Sequence, residues 1–131
     1  MGYIIDTDVC IDLMRKRADI IDKIQRLDAD LFLTFMSLSE LFYGAYFSSR
    51  KEYQLGVIKA FIQEFTILTP NISSSELFGL VKANLRKEGQ LIEDADLLIA
   101  SIAIGHNLPL ITHNTKHFDR LADFGLVLES W

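Results

Sequence analysis

A chain of 131 residues is the size of one domain and can bury roughly two-thirds of the surface its unfolded form exposes, enough for a core without staples. Hydrophobic residues make up 50% of it, yet no polar-free run approaches the roughly 18 residues of a membrane span, and no basic leader with a cleavage site opens it; the expected setting is the cytoplasm. The single cysteine, Cys10, excludes an internal disulfide and a cysteine metal cluster, and a net charge of −5 argues against a general nucleic-acid binder.

In chain order, Tyr3-Ile4-Ile5 reads as a short strand that runs directly into Asp6, with Thr7 or Asp8 free to cap the helix that follows. Ile20, Ile24 and Leu27 keep helical spacing over 19–27, and Leu31 to Phe35 reads as a second strand. Ser37 to Tyr46 is the next helix; Gly44 inside it costs about 1 kcal/mol against alanine, which close packing would explain. After a polar break at Ser48-Ser49-Arg50, Leu55, Ile58, Phe61, Ile62 and Phe65 mark a longer amphipathic helix. Thr66 to Thr69 is a brief third strand stopped by Pro70. Ser73 and Glu76 carry capping-box spacing for a helix that ends at Gly89. The run Leu97 to Ile104 is apolar on every side, the mark of a central buried helix, and Gly105-His106-Asn107 stops it. Pro109 to Thr112 is a fourth strand, Phe118 to Ala122 a short helix and Leu126 to Leu128 a last strand. Strands that alternate with helices predict one α/β domain over 1–131, with a mainly parallel sheet of four to five short strands flanked by helices.

Three acids stand at the junctions of this pattern: Asp6 after the first strand, Glu40 early in the helix after the second, and Asp96 at the threshold of the buried helix. Each has a local explanation as a cap, and Ser37 with Glu40 has capping-box spacing of its own. In a parallel sheet, however, those junctions share one edge, beyond which open α/β sheets place their functional crevice. Asn114, just past the fourth strand, falls on the same edge. Converging carboxylates repel by about 4 kcal/mol per pair at 4 Å and an effective dielectric of 20. Either some are protonated or a cation lies between them. Oxygen ligands without cysteine favour Mg²⁺ or Mn²⁺ over zinc, and such an ion suits hydrolysis of a phosphodiester.

The opening Ile5-Asp6-Thr7-Asp8-Val9, the segment Ser37 to Leu41 with Tyr43-Gly44-Ala45, the run Ile92 to Ala100, and Thr112-His113-Asn114 with Phe118 occur in this order. Together they resemble the PIN-domain ribonucleases, and specifically the VapC toxins of toxin–antitoxin pairs, over essentially the whole chain. The resemblance implies a Mg²⁺-dependent endoribonuclease, with Mn²⁺ as a substitute, silenced by a VapB-like antitoxin in a hetero-oligomer and itself a homodimer. It assigns Asp6, Glu40 and Asp96 to the acidic, metal-holding positions. Asn114 stands where many relatives carry a fourth acid, which favours one firmly held ion over two. Asp8 departs from the asparagine common at its position and reads as a helix cap, and Asp94 reads as a surface or supporting acid.

On chemical grounds Asp6 and Asp96 would hold the ion, Glu40 would ligate it or orient the attacking water, and Thr112 with Asn114 would hydrogen-bond a carboxylate, a water or a phosphate oxygen. His113 and His117, as loop histidines, are expected to face solvent and stay outside the site. Lys82, Arg86 and Lys116 are the candidates to line an RNA approach. The helices bearing Leu41, Phe42, Tyr46 and Phe47, and Leu55 to Phe65, offer aromatic surface that is either core or a groove for a partner helix. Two other functions compete. A receiver-type phosphoacceptor also gathers aspartates at strand ends, but it needs one after the third strand, where the chain has Thr69-Pro70-Asn71, and it leaves Glu40 idle. A catalytically inactive binding module would not need the three acids together.

Overall fold

The computed structural model describes all residues, 1–131. Its elements are β1 (Gly2–Ile5), α1 (Thr7–Met14), α2 (Ala18–Leu27), β2 (Asp30–Thr34), α3 (Phe35–Phe47), α4 (Lys51–Phe61), β3 (Thr66–Leu68), α5 (Ile72–Lys87), α6 (Asp94–Gly105), β4 (Leu110–Thr112), α7 (Thr115–Phe118) and β5 (Leu128–Ser130). The five strands form one sheet in the order β3-β2-β1-β4-β5, and every pairing is parallel. No helix is long and apolar enough to cross a membrane.

Short apolar strands build this sheet because both faces are covered, so successive side chains are all apolar. Ile4 and Leu110 point into a core shared with Val81, Leu85, Ile99 and Phe118 from α5, α6 and α7. Their neighbours Ile5 and Ile111 point the other way, into a core with Val9, Ile20, Leu41 and Ile58 from α1 to α4. Cys10 belongs to that second core; burial first, then the nearby Asp6 and Asp8, push its thiol well above the ordinary range, so it is an inert packing group. The expected all-round apolar helix is α6, where Leu97, Ile99, Ala100, Ile102 and Ala103 are all buried.

Strand order locates the crevice. From β1 the chain adds β2 and β3 on one side, then returns to place β4 on the other, so the order reverses between β1 and β4. Such a switch point opens a cleft beyond the strands' carboxyl ends. The Asp6 amide donates to Ile111 O at 2.9 Å and extends the β1–β4 pairing to that edge.

Several boundaries differ from the sequence expectation, each for a local reason. Phe35 begins α3 rather than ending β2, because the Thr34 hydroxyl accepts from the Ser37 amide at 3.1 Å and caps the helix. The Ser37–Glu40 capping box is therefore absent. The box before α5 is Asn71–Ser74, not Ser73–Glu76: Asn71 Oδ1 accepts from the Ser74 amide and Ser74 Oγ from the Asn71 amide, both at 2.8 Å. The amphipathic helix expected to reach Phe65 tightens after Phe61 into a 3-10 turn over Ile62–Glu64. The expected short helix at Phe118 starts earlier, as α7, and continues as a 3-10 turn over Asp119–Phe124. β5 lies two residues later than expected, pairing Leu128 with Leu110 and Ser130 with Thr112, while Leu126 turns into the core. Gly89 does end α5, at φ +68°, a conformation that favours glycine. Gly44 does not serve close packing: nothing lies within 4 Å of where its Cβ would stand.

Candidate active site

Asp6, Glu40, Asp96 and Asn114 line one cleft at the β1–β4 switch point, together with Thr7, Asp8, Ile11 and Phe118. Its volume is about 260 Å³. The four residues come from just past the ends of β1 and β4, the second turn of α3 and the first turn of α6, so the sheet edge, not sequence proximity, brings them together.

Asp6 is itself the cap of α1, the local role open to it from sequence beside Thr7 and Asp8. Its Oδ1 accepts from the Thr7 amide at 2.8 Å, and its Oδ2 accepts from the Thr112 hydroxyl at 2.7 Å. Thr112 is fully buried and accepts in turn from the Asn114 amide at 3.0 Å. One hydroxyl thus ties the β1 acid to the β4 loop. Asp6 is only 6% exposed. Burial and the neighbouring Asp8 charge push its carboxyl up to about 6, against the opposing hydrogen bonds from Thr112 and Thr7.

Glu40 sits one turn into α3 and accepts from Thr7 Oγ1 at 2.8 Å, where the Ser37 hydroxyl also meets Thr7 at 3.0 Å. Burial, then Asp96 and Glu93, raise its carboxyl above the usual range. Asp96 lies in the first turn of α6, whose cap residue is Glu93. Its carboxyl is raised too, by burial and by Glu93 and Asp8, against a hydrogen bond from His117. The three acids therefore each hold protons more tightly than free carboxyls, and their mutual repulsion contributes to this.

Four sequence expectations need correction here. His117 does not face solvent: its Nε2 meets Asp96 Oδ2 at 2.7 Å, at the cleft. His113 is engaged as well. Its Nε2 meets Asp12 Oδ2 at 2.6 Å and its Nδ1 meets the Trp131 carbonyl, so it clasps α1 to the last residue, outside the cleft. Burial pulls its basicity down, but the Trp131 carbonyl and Asp12 outweigh that and leave it raised. Asp8 does more than sit in a helix start. Its Oδ1 accepts from the Val9 amide at 2.7 Å and its Oδ2 from the His113 amide at 3.2 Å, which bridges α1 to the β4 loop while lining the cleft. Finally, Lys82 is not a free cation: its Nζ pairs with Asp94 at 2.9 Å on the surface. Asp94 is thereby a surface acid, one of the two roles expected.

Thr7 was expected only as a helix cap, and its contacts with Ser37 and Glu40 were missed because those partners are 30 and 33 residues away. The signal available was only its place beside Asp6. Exchange of Thr112 for valine should destabilise the protein by about 1–3 kcal/mol, since Asp6 Oδ2 and the Asn114 amide both lose a buried partner. Thr112→Ser should restore most of that. Urea unfolding of the three proteins measures both differences.

The oxygen-only donors of the cleft (carboxylates, the Thr7 hydroxyl and the Asn114 amide) suit a hard divalent cation, which would relieve the repulsion that raises the acids. The acids are set around the cleft wall, and no three acidic or imidazole side chains close onto a single ligand point. Two carboxylates, with waters completing the shell, is the fit this wall supports.

A second cavity of about 520 Å³ adjoins the cleft and shares Ile11 and Glu40 with it. It is a groove between α1, α3 and α4, lined by Met14, Leu41, Gly44, Tyr53, Val57 and Ile58, with Arg15 and Lys16 on its rim. Beside it Tyr43 (70% exposed) stacks with Phe47 (80% exposed) at 6.0 Å between ring centroids. Of the surface expected there, Leu41 and Ile58 are core, while Tyr46 and Phe47 are exposed; Tyr53, outside that expectation, is exposed too.

A family model described as PIN domain matches residues 3–124. Ribonuclease VapC2 of Haemophilus influenzae is 31% identical over the whole of this chain and 98% of its own length. The tRNA(fMet)-specific endonuclease VapC of Shigella flexneri is 28% identical over 100% of this chain and 98% of its own. Among solved structures, VapBC2 from Rickettsia felis bound to a DNA fragment from its promoter superposes with a TM-score of 0.93. That match covers 100% of this chain and 99% of the other, at 28% identity.

Proposed function

The chain belongs to the PIN-domain family, among the VapC ribonucleases, and from that premise we propose that it is the endoribonuclease toxin of a toxin–antitoxin pair, hydrolysing RNA phosphodiester bonds with a divalent cation, Mg²⁺ or Mn²⁺. The observation that carries this reading is the convergence of Asp6, Glu40 and Asp96 with Asn114 on one cleft at the switch point. A receiver-type phosphoacceptor falls away with the family membership.

Asp6 and Asp96 would hold the cation. When bound, it supplies charge for the phosphoryl oxygens and lowers the pKa of water. The chain's own residues do the rest. Glu40, its carboxyl raised by burial and held by Thr7, takes a proton from the attacking water. Thr112 fixes Asp6, and the Asn114 side chain faces the cleft as a neutral donor to a phosphate oxygen. Asp6, Asp8, Glu40 and Asp96 make the cleft strongly anionic, so an RNA backbone approaches only when that charge is compensated. Arg86 and Lys116, which unlike Lys82 carry no carboxylate partner in the structure, remain the cations proposed to line that approach.

The test is cleavage of total RNA with Mg²⁺, with Mn²⁺ and with EDTA, with the cut ends mapped. Cleavage should require the metal and be abolished by EDTA; full activity in EDTA overturns the reading. A tRNA belongs in the panel because the Shigella flexneri relative is named for tRNA(fMet).

The groove between α1, α3 and α4 supports a second element of the proposal, a VapB-like antitoxin that lays an apolar helix along it. Because the groove shares Glu40 with the acidic cleft, a cationic side chain from that partner would reach the acids and compete with the metal. Co-expression with the neighbouring small protein should yield a stable hetero-oligomer of toxin dimers that no longer cuts RNA. Separate elution of the two proteins, with cleavage intact, overturns this element.

A further inference from the structure

Asp6, Glu40 and Asp96 are each held by a side chain that reaches them from another element. Thr112 of β4 donates to Asp6 at 2.7 Å, and Thr7 of α1 donates to Glu40 at 2.8 Å. The third member of the set is His117 of α7, 2.7 Å from Asp96 Oδ2. Resting on the metal-dependent reading above, we infer that His117 is the positioning residue of Asp96: its Nε2–H donates to Oδ2 and leaves Oδ1 to face the cation.

Three features of the surroundings make this contact a device for orientation. Asp96 has no cap bond to fix it, because the cap position of α6 belongs to Glu93, whose side chain makes no capping hydrogen bond. Asp96 also stands among like charges: Glu93 and Asp8 both act on it, and Asp96 acts on Glu40 and Asp6. Without a donor its carboxylate would turn from the cleft towards the free amides of its own helix start. His117, by contrast, is anchored. α7 is a single turn, but the next residue, Phe118, is 1% exposed in the core. The His117 ring meets the Phe118 ring edge-on, with centroids 5.6 Å apart and an interplanar angle of 83°. A ring locked in this way fixes one carboxylate oxygen and presets the other, so the acid is already ordered when a cation arrives.

The reciprocal arrangement of the other two acids supports the same logic. Thr112 and Thr7 are neutral donors whose hydroxyls orient a carboxylate without cancelling its charge. His117 does likewise through one ring nitrogen, Nε2, which meets a single carboxylate oxygen. The site thus restricts the freedom of three carboxylate side chains before a cation arrives.

The experiment is a calorimetric titration of Mn²⁺ into RNA-free protein, comparing wild type with His117→Ala, His117→Gln and Asp96→Asn, with thermal unfolding of each as a check on folding. His117→Ala should bind Mn²⁺ about 10–100-fold more weakly, the usual effect of removing a group that orients a metal ligand. His117→Gln presents an amide N–H near the position of Nε2 and should recover most of the affinity. Asp96→Asn should bind most weakly of all. In the cleavage assay His117→Ala should need correspondingly more metal for half-maximal rate, at unchanged KM for RNA. Wild-type affinity in His117→Ala, with weak binding in Asp96→Asn, overturns the role of His117 and leaves the metal site standing. Equal loss in the alanine and glutamine variants also overturns it, since the imidazole would then act as a ligand itself. Wild-type affinity in Asp96→Asn overturns the metal-dependent reading along with it.

Discussion

Replacing Asp6 with asparagine should raise the melting temperature of the metal-free protein near pH 7.5, while abolishing both the stabilisation by added Mg²⁺ and most of the RNA cleavage. The sign follows from linkage. Asp6 titrates near 3.8 when unfolded and at about 6 in the fold, so the folded state binds its proton more tightly. Its contribution to stability is complete below about pH 4, is lost as pH climbs through 6, and stays lost above that. The shift corresponds to about 3 kcal/mol at most, or a rise of up to ~10 °C in melting temperature for a domain of this size. Asparagine removes the charge and keeps the cap, since its carbonyl still accepts from the Thr7 amide. Its amide would face Thr112 Oγ1, whose hydroxyl can turn to Asp8 Oδ2 at 3.4 Å. Below pH 4 the advantage of the variant should vanish. With metal the order reverses: wild type gains about 2.7 kcal/mol when the free ion reaches a hundred times its Kd, and the variant gains little. Thermal unfolding between pH 4 and 8, with EDTA and with Mg²⁺, reads both effects. An asparagine variant that melts below wild type at pH 7.5 and cuts RNA at the wild-type rate reduces Asp6 to a helix cap.

The largest loss of stability is expected from Phe118→Ala. Phe118 is the largest fully buried side chain and packs in the core with residues of α5 and α6. Truncation of such a ring costs about 3–5 kcal/mol, through lost transfer free energy and the cavity left behind, or ~10–15 °C in melting temperature. The consequence for function is local. α7 is one turn long and contains His117, and Asn114 is its cap residue, so neither stays in place once Phe118 no longer anchors the turn. Cleavage should therefore fall even at temperatures where the variant is folded, whereas Phe118→Leu should retain most of both. A Phe118→Ala protein that melts within a degree or two of wild type contradicts the packing argument.

Much of this architecture was legible in the residues themselves. The alternation of short apolar strands with amphipathic helices is a periodic signal, and it predicts a parallel α/β sheet without knowledge of any contact. Leu97 to Ile104, apolar on every side, could only be a buried helix, and Gly89 could mark the end of α5 because a positive φ favours glycine. The acids were legible for a related reason. Asp6 interrupts an apolar strand at its end, and Asp96 opens an apolar helix, so both stand where local patterning does not ask for them.

Hydrogen-bond partners were not legible, because a partner is chosen by distance in space. Thr112 and Asp6 are 106 residues apart and meet only once β4 has paired with β1. His117 looked like a loop histidine until the one-turn α7 carried it to Asp96. Lys82 looked like a free cation until α5 packed on α6 beside Asp94. Even the caps depended on context: Ser37–Glu40 and Ser73–Glu76 had suitable spacing, but Thr34 and Asn71 reached the free amides first. Periodicity and side-chain chemistry are properties of short stretches, so the chain alone determined its fold class and the acids at its strand ends. Which donor holds which acid, and so how the cleft is charged and shaped, was decided only when the sheet brought remote elements to a common edge.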